Sequence, residues 1–283
     1  MASTTRTEAS GFGLLSRRFG VPELVGTTLV LVSATILLGI ATKASGAGLA
    51  CDANWPLCDG GILNLFPATF PSFFEWIHRV VAGVSGLFIV ASAIVTWRSG
   101  ADRTAAWALT IGLLLTPVQV ALGAGTVKLY DLAILDLHFW TAIAIFCSFA
   151  VGAIVLTADR LNTTTVTRAL GIATVLVPAQ VVLSPLVIST YTEVLQTTLY
   201  AVTLVFIGSL LFAAIVGRRR YEGRTALVLG AAPILGLVVV YFGRESVMGF
   251  DPSIVLGYWL VTIGTTVAFA WLWYSVRTTT PKH

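Results

Sequence analysis

The sequence predicts an all-α integral membrane protein with eight transmembrane helices, arranged as two four-helix bundles with both termini cytoplasmic. Three observations carry this. Hydrophobic residues make up 57% of the chain and charged ones 11%, against about 25% charged in an ordinary soluble domain. Apolar runs of roughly 17–25 residues, the length that crosses ~30 Å of hydrocarbon, recur along the chain. Finally, most Lys and Arg residues cluster in alternate connections between the runs, as the positive-inside rule requires of a multi-pass protein.

The first run, Leu24–Ala41, exceeds the 7–15 residues of a signal-peptide core and is expected to be retained as a helix. A long polar connection follows, and the second run, Phe74–Trp97, begins inside the segment E-W-I-H-R-V-V-A-G. The third is Ala105–Gly123 and the fourth Leu135–Thr157. A short polar linker, Ala158–Thr167, separates them from Ala169–Ile188, Val194–Val216, Thr225–Phe242 and Ile254–Tyr274. Pro117, Pro178, Pro185 and Pro233 fall within runs, which membrane helices tolerate because neighbours satisfy the freed carbonyls. The runs are too continuous to alternate as barrel strands. The linker divides the chain into units 1–160 and 161–283.

Arg6, Arg17, Arg18, Arg98, Arg103, Arg160, Arg168, Arg218, Arg219, Arg220, Arg224, Arg277 and Lys282 all fall on the face that holds the N-terminus. Only Lys43, Arg79, Lys128 and Arg244 belong to the other. This places both termini in the cytoplasm and the long first connection outside the cell membrane. The net charge of +4 follows from the same asymmetry, so no nucleic-acid partner is implied.

The two halves carry a faint internal repeat. Glu75-Trp76-Ile77-His78 opens the second helix of the first half, and Glu193-Val194-Leu195-Gln196 that of the second. His138-Phe139-Trp140 and Gly257-Tyr258-Trp259 open the two fourth helices. Corresponding positions point to duplication, which is common in membrane folds.

Polar chemistry in such a chain marks function. His78 and His138 lie a few residues into two helices that run in the same direction, which sets them at matched depth in one bundle. Facing helices of a bundle are a usual place to hold a cofactor, and neutral imidazole is the commonest haem-iron ligand. Ala82, Ser85 and Gly86 follow His78 on its face and leave room for a flat macrocycle. The alternative is a pair of interfacial histidines bonded to loops, with the small residues serving helix packing. Glu75, His78 and Arg79 project to one side, either as a first-turn ion pair or as an acid–base group with a cation beside a haem edge. Cys51 and Cys58, separated by six residues around Trp55-Pro56, sit in the outer connection, where an oxidising compartment makes a disulfide the default. Cys147 lies on the face of its helix opposite His138 and reads as packing.

The segment T-K-A-S-G-A-G-L-A-C, the W-P-L-C-D-G that follows, and E-W-I-H-R-V-V-A-G resemble the first half of the haem A synthase family. Gln119, the stretch Leu122–Val127 and Leu137-His138 fit the same pattern, so the resemblance covers about residues 24–157. It implies oxidation of the C8 methyl of haem O to the formyl of haem A, with water as oxygen source. It maps Glu75 to the catalytic carboxylate, His78 and His138 to the axial ligands of the substrate haem, and Cys51 with Cys58 to a disulfide. Arg79 would hold a propionate. The implied partners are haem O, the lipid bilayer, a haem O synthase and terminal-oxidase assembly, with a homo-oligomer left open.

The second half departs from the pattern. Members of the family carry a further histidine pair there for a haem b, whereas residues 161–282 contain neither histidine nor cysteine. Gln196 stands at the first expected ligand position, and Gly257 or Tyr258 at the second. No bis-histidine haem b is therefore expected in the second bundle. Two other readings compete with the synthase: a non-enzymatic bis-histidine electron-transfer protein, and a haem-free transporter or structural subunit. The Glu75 motif favours the enzyme, because simple ligation has no use for that carboxylate.

Overall fold

A computed structural model describes residues 20–51, 58, 69–129, 131–190 and 192–281. Arg6, Arg17, Arg18, the Trp55-Pro56 turn, Lys282 and His283 lie outside the described residues. Eight helices are described: α1 (Val21–Ala44), α2 (Phe70–Arg98), α3 (Arg103–Lys128), α4 (Leu132–Thr157), α5 (Thr163–Val182), α6 (Glu193–Arg220), α7 (Gly223–Met248) and α8 (Pro252–Thr278). All eight are long and apolar enough to cross a bilayer, and no strand occurs among the described residues. The chain is a multi-pass helical membrane protein.

Local signals set the helix starts. Thr69, Asp102, Asp131, Asn162, Thr192 and Asp251 each accept a hydrogen bond from a backbone N–H of the first turn of the helix they precede, which satisfies donors that would otherwise be orphaned. Pro117, Pro178 and Pro233 lie inside α3, α5 and α7. Pro185 does not: α5 ends at Val182, short of the Ile188 expected from hydropathy. The Ser184 hydroxyl donates to the Val181 carbonyl and accepts from Leu186 N–H, closing the helix one residue before a proline that could not continue its ladder.

Helices α1 to α4 pack in a closed ring, each against the next and α4 back against α1; α5 to α8 form a second ring in the same order. The rings meet asymmetrically, with α6 of the second wedged into the groove between α1 and α4 of the first. Phe206, Leu210, Phe146 and Phe149 are buried in one continuous apolar core. Lipid-facing positions such as Phe70 and Leu87 stay exposed.

Without a strong hydrophobic drive between helices in lipid, close approach depends on small residues and interhelical hydrogen bonds. A Cβ on Gly112 of α3 would stand 2.7 Å from the Phe149 ring of α4, and one on Gly236 of α7 would stand 2.2 Å from Leu210 of α6. Between α1 and α2 the contact is a seam of hydroxyls at seven-residue spacing. Thr28 bonds Ser92 at 2.7 Å and Thr35 bonds Ser85 at 2.7 Å, while Thr42 donates to the Phe74 carbonyl at 3.5 Å. His78 is the next position along the Ser92–Ser85 row, so this seam sets the rotation of α2 that aims the histidine.

Overpacking such contacts costs typically 1–3 kcal/mol. Gly112→Val is therefore expected to lower the thermal unfolding midpoint in detergent, while Gly26→Ala, whose Cβ meets nothing within 4 Å, leaves it unchanged or higher. Equal midpoints for Gly112→Val and the native chain would contradict the close α3–α4 approach.

Candidate functional site

The connection after α1 turns back through Gly46, whose φ of 74° is the left-handed region that suits glycine, and through a short 3-10 turn at Ala47–Leu49. This returns the chain to the first turn of α2. There the Ser72 hydroxyl donates to the Ala50 carbonyl at 2.9 Å, and the Cys51 N–H donates to Glu75 Oε2 at 3.0 Å. Cys51 and Cys58 are bonded to each other with Cα atoms 4.5 Å apart, both buried beside the Ser72 carbonyl. The two cysteines and the opening of α2 thus form one laced unit.

Glu75 is 3% exposed. A carboxylate so placed stays charged only if it is paired and hydrogen-bonded, and it is both: Oε1 takes the Arg79 guanidinium from the next turn of α2, and Oε2 takes the Cys51 N–H. Removing one partner of a buried pair typically costs 3–5 kcal/mol because it strands the other charge.

His78 points at α1. A Cβ on Gly39 would lie 2.8 Å from its Cε1, so the imidazole occupies the space that this glycine leaves. His138 is set on α4 in the same manner against Gly123 of α3, where a Cβ would lie 3.2 Å from Cε1. The Gln119 amide of α3 reaches His138 Nε2 at 3.3 Å. The two imidazoles lie within electrostatic reach of each other. His78 Nδ1, His138 Nδ1 and Gln119 Oε1 are buried without a hydrogen-bond partner, and buried polar atoms of that kind ask for an explanation. Two imidazoles with unmet nitrogens, each backed by a glycine, suit the axial ligation of a haem iron.

One expected role does not hold. Ser85, read as space for a macrocycle, is buried between α1 and α2 with its hydroxyl tied to Thr35. Gly86, on the same helix, does face open space. Cys147 is partly buried against the core.

The second bundle repeats the geometry without the chemistry. A Cβ on Gly243 of α7 would stand 3.1 Å from the Tyr258 ring of α8, as one on Gly123 would stand 3.2 Å from His138. Both pairs are separated by 15 residues in the chain. Tyr258, not Gly257, therefore holds the place of His138. A cavity of about 40 Å³ opens beside it, lined by Gln180, Tyr200, Thr203 and Arg244 among others. This lining contains no imidazole, so it does not fit a bis-histidine haem b.

A family model described as cytochrome oxidase assembly protein (COX15-CtaA) matches residues 23–200. The chain belongs to this family, which includes the haem A synthases. It is 37% identical over 125 residues to the heme A synthase of Bacillus licheniformis, covering 43% of this chain and 40% of that one. It is 36% identical over 121 residues to the protoheme IX farnesyltransferase of Halobacterium salinarum, covering 42% of this chain and 27% of that one. The corresponding enzyme of Haloarcula marismortui is 38% identical over 126 residues, covering 44% and 26%. The matches thus span about two-fifths of the synthase and about a quarter of each farnesyltransferase.

Three features of the site escape a reading of motifs. Gly39 carries no chemistry of its own, and its signal is only its place between Thr35 and Thr42 on the hydroxyl seam. The Cys51 N–H is a backbone group and invisible in side-chain patterns. The third, an ion pair between Asp136 of α4 and Arg244 of α7, joins residues 108 apart.

Filling the space at Gly39 should displace the imidazole. Gly39→Val is expected to abolish haem retention by the purified protein, read from its Soret absorbance. Gly83→Ala, whose Cβ meets nothing within 4 Å, should retain haem. Full retention by Gly39→Val would show that His78 does not need this seat.

Proposed function

We propose that the protein is an oxidoreductase, a haem A synthase that converts the C8 methyl of haem O to a formyl group. The overall change is R–CH3 + H2O → R–CHO + 4 H⁺ + 4 e⁻, by two successive hydroxylations and loss of one water, with the four electrons taken up by an external electron acceptor. His78 and His138 hold the iron of the substrate haem from α2 and α4. Glu75, one turn before His78, accepts a proton from the water that attacks the methyl carbon. Arg79 pairs with the Glu75 carboxylate and is the cation proposed to hold a porphyrin carboxylate. The Cys51–Cys58 disulfide fixes the loop whose N–H holds Glu75.

The observation that carries this reading is the buried Glu75, paired with the partly buried Arg79 and with the Cys51 N–H, one turn from an imidazole that has an unpartnered nitrogen. Retaining a charged group there is costly in a membrane, and axial ligation alone does not need it. Both units belong to the proposal: 1–160 carries the site, and 161–283 packs against it without a haem of its own. The protein is placed in the plasma membrane with the Cys51 loop outside. Haem O, its synthase and terminal-oxidase assembly are the proposed partners. Relatives named protoheme IX farnesyltransferase that contain a segment like this one support the pairing with the haem-farnesylating enzyme.

The test is expression beside a haem O synthase, followed by analysis of extracted haems. Haem A is expected from the native chain. Glu75→Gln, which keeps an acceptor for the Cys51 N–H, is expected to bind haem but accumulate haem O, with haem A falling at least 100-fold, the scale of acid–base catalysis. Haem A production undiminished in Glu75→Gln would remove Glu75 from the chemistry. Haem bound by the native chain with no haem A formed would leave an electron-transfer protein.

A further inference from the structure

Arg244 is the only Lys or Arg at the Cys51 end of the second bundle among the described residues, and it is 8% exposed. It belongs to α7, yet it grips α4 of the first bundle. Its Nε donates to Asp136, and its guanidinium carbon lies 4.2 Å from the centroid of the Phe139 ring. From Nη1 it donates to the Tyr200 hydroxyl of α6 at 3.3 Å. Phe139 in turn meets the Tyr200 ring edge-on at 5.5 Å. One side chain thus ties α4, α6 and α7 at the place where the two rings of helices meet.

The position of these contacts on α4 matters. Asp136 and Phe139 are three residues apart and share one face of the helix. His138, two residues from Asp136, lies on the opposite side, toward Gly123 and Gln119. The pair buries Arg244 but leaves Asp136 29% exposed, and an ion pair that desolvates one partner is seldom the most stable filling for its volume. Its specific return is orientation: a guanidinium that both pairs with Asp136 and stacks on Phe139 accepts only one rotation of α4 about its axis.

We infer that Arg244 is a positioning residue for His138, and that this grip is what the histidine-free second bundle contributes to the site. A rotation of about 30° sweeps a side-chain tip roughly 3 Å on a helix of about 5–6 Å radius, too far for an imidazole to keep an axial bond. The inference rests on the haem-ligand role proposed for His138, but the direction of α4 can be read without haem.

The experiment uses the full chain in detergent, as native protein, Arg244→Gln and Leu210→Ala. Leu210 is buried in the second bundle against Gly236, ten residues along α6 from Tyr200. Two readouts are taken: carbon monoxide binding to protein loaded with haem b as probe, and the alkylation rate of Cys147 on α4 in haem-free protein. Native protein is expected to be low-spin and to bind little carbon monoxide. Arg244→Gln should raise the carbon monoxide-binding fraction at least fivefold and speed Cys147 alkylation by a similar factor. Leu210→Ala should lower thermal stability while leaving both readouts near native. If Arg244→Gln keeps the native spectrum and alkylation rate, or if Leu210→Ala changes both as much, the grip is merely structural and the inference fails. If the native protein shows no low-spin haem, the ligand role of His138 falls, and Cys147 alone decides whether Arg244 orients α4.

Discussion

The buried carboxylate of Glu75 is the group on which the loop end of the first bundle depends. At 3% exposure it cannot rely on water, so both of its oxygens need donors from protein. One comes from Arg79 in the same helix and costs little to arrange, because residues four apart on a helix already face each other. The other is the Cys51 N–H, which must be delivered by a loop. That requirement explains why the chain reverses at Gly46, why Ser72 anchors Ala50, and why Cys51 is bonded to Cys58: each fixes the position of a single backbone donor.

The histidines are held by a different device. Neither imidazole rests on a dense polar network; each occupies the gap beside a glycine on the neighbouring helix. Gly39 and Gly123 lie on α1 and α3, so the two helices without a histidine shape the seats of the two that carry one. The seven-residue hydroxyl seam of α1 and α2 extends this logic down the membrane. Hydrogen bonds between Thr and Ser side chains are each worth only about 0.6 kcal/mol in a bilayer, but spaced at one face they leave α2 a single rotation.

Hydropathy made the eight helices legible, and residue type made conspicuous the polar groups of the candidate site, because each reflects a local cost. Glu75, His78, Arg79 and His138 are conspicuous in a chain with 11% charged residues. The end of α5 was misjudged because hydropathy does not register that Ser184 and Pro185 stop a helix. Ser85 was misread because small residues next to a histidine can serve a cavity or a seam, and only the position of α1 decides which. Asp136 was passed over altogether: its partner Arg244 lies in the other half of the chain, and nothing near either residue announces the other.

The two rings of helices share one contact geometry. Gly243 and Tyr258 make the same glycine-and-ring contact as Gly123 and His138, with a phenol in place of the imidazole. A tyrosine at that place fills the volume of an imidazole and more, and the lining of the cavity beside it contains no imidazole. Without histidines the second bundle still packs on the first, because α6 fills the groove between α1 and α4. A half that kept only apolar contacts would hold those helices together while leaving α4 free to turn. The polar contact of Arg244 with Asp136 adds a rotational constraint at the Cys51 end of α4.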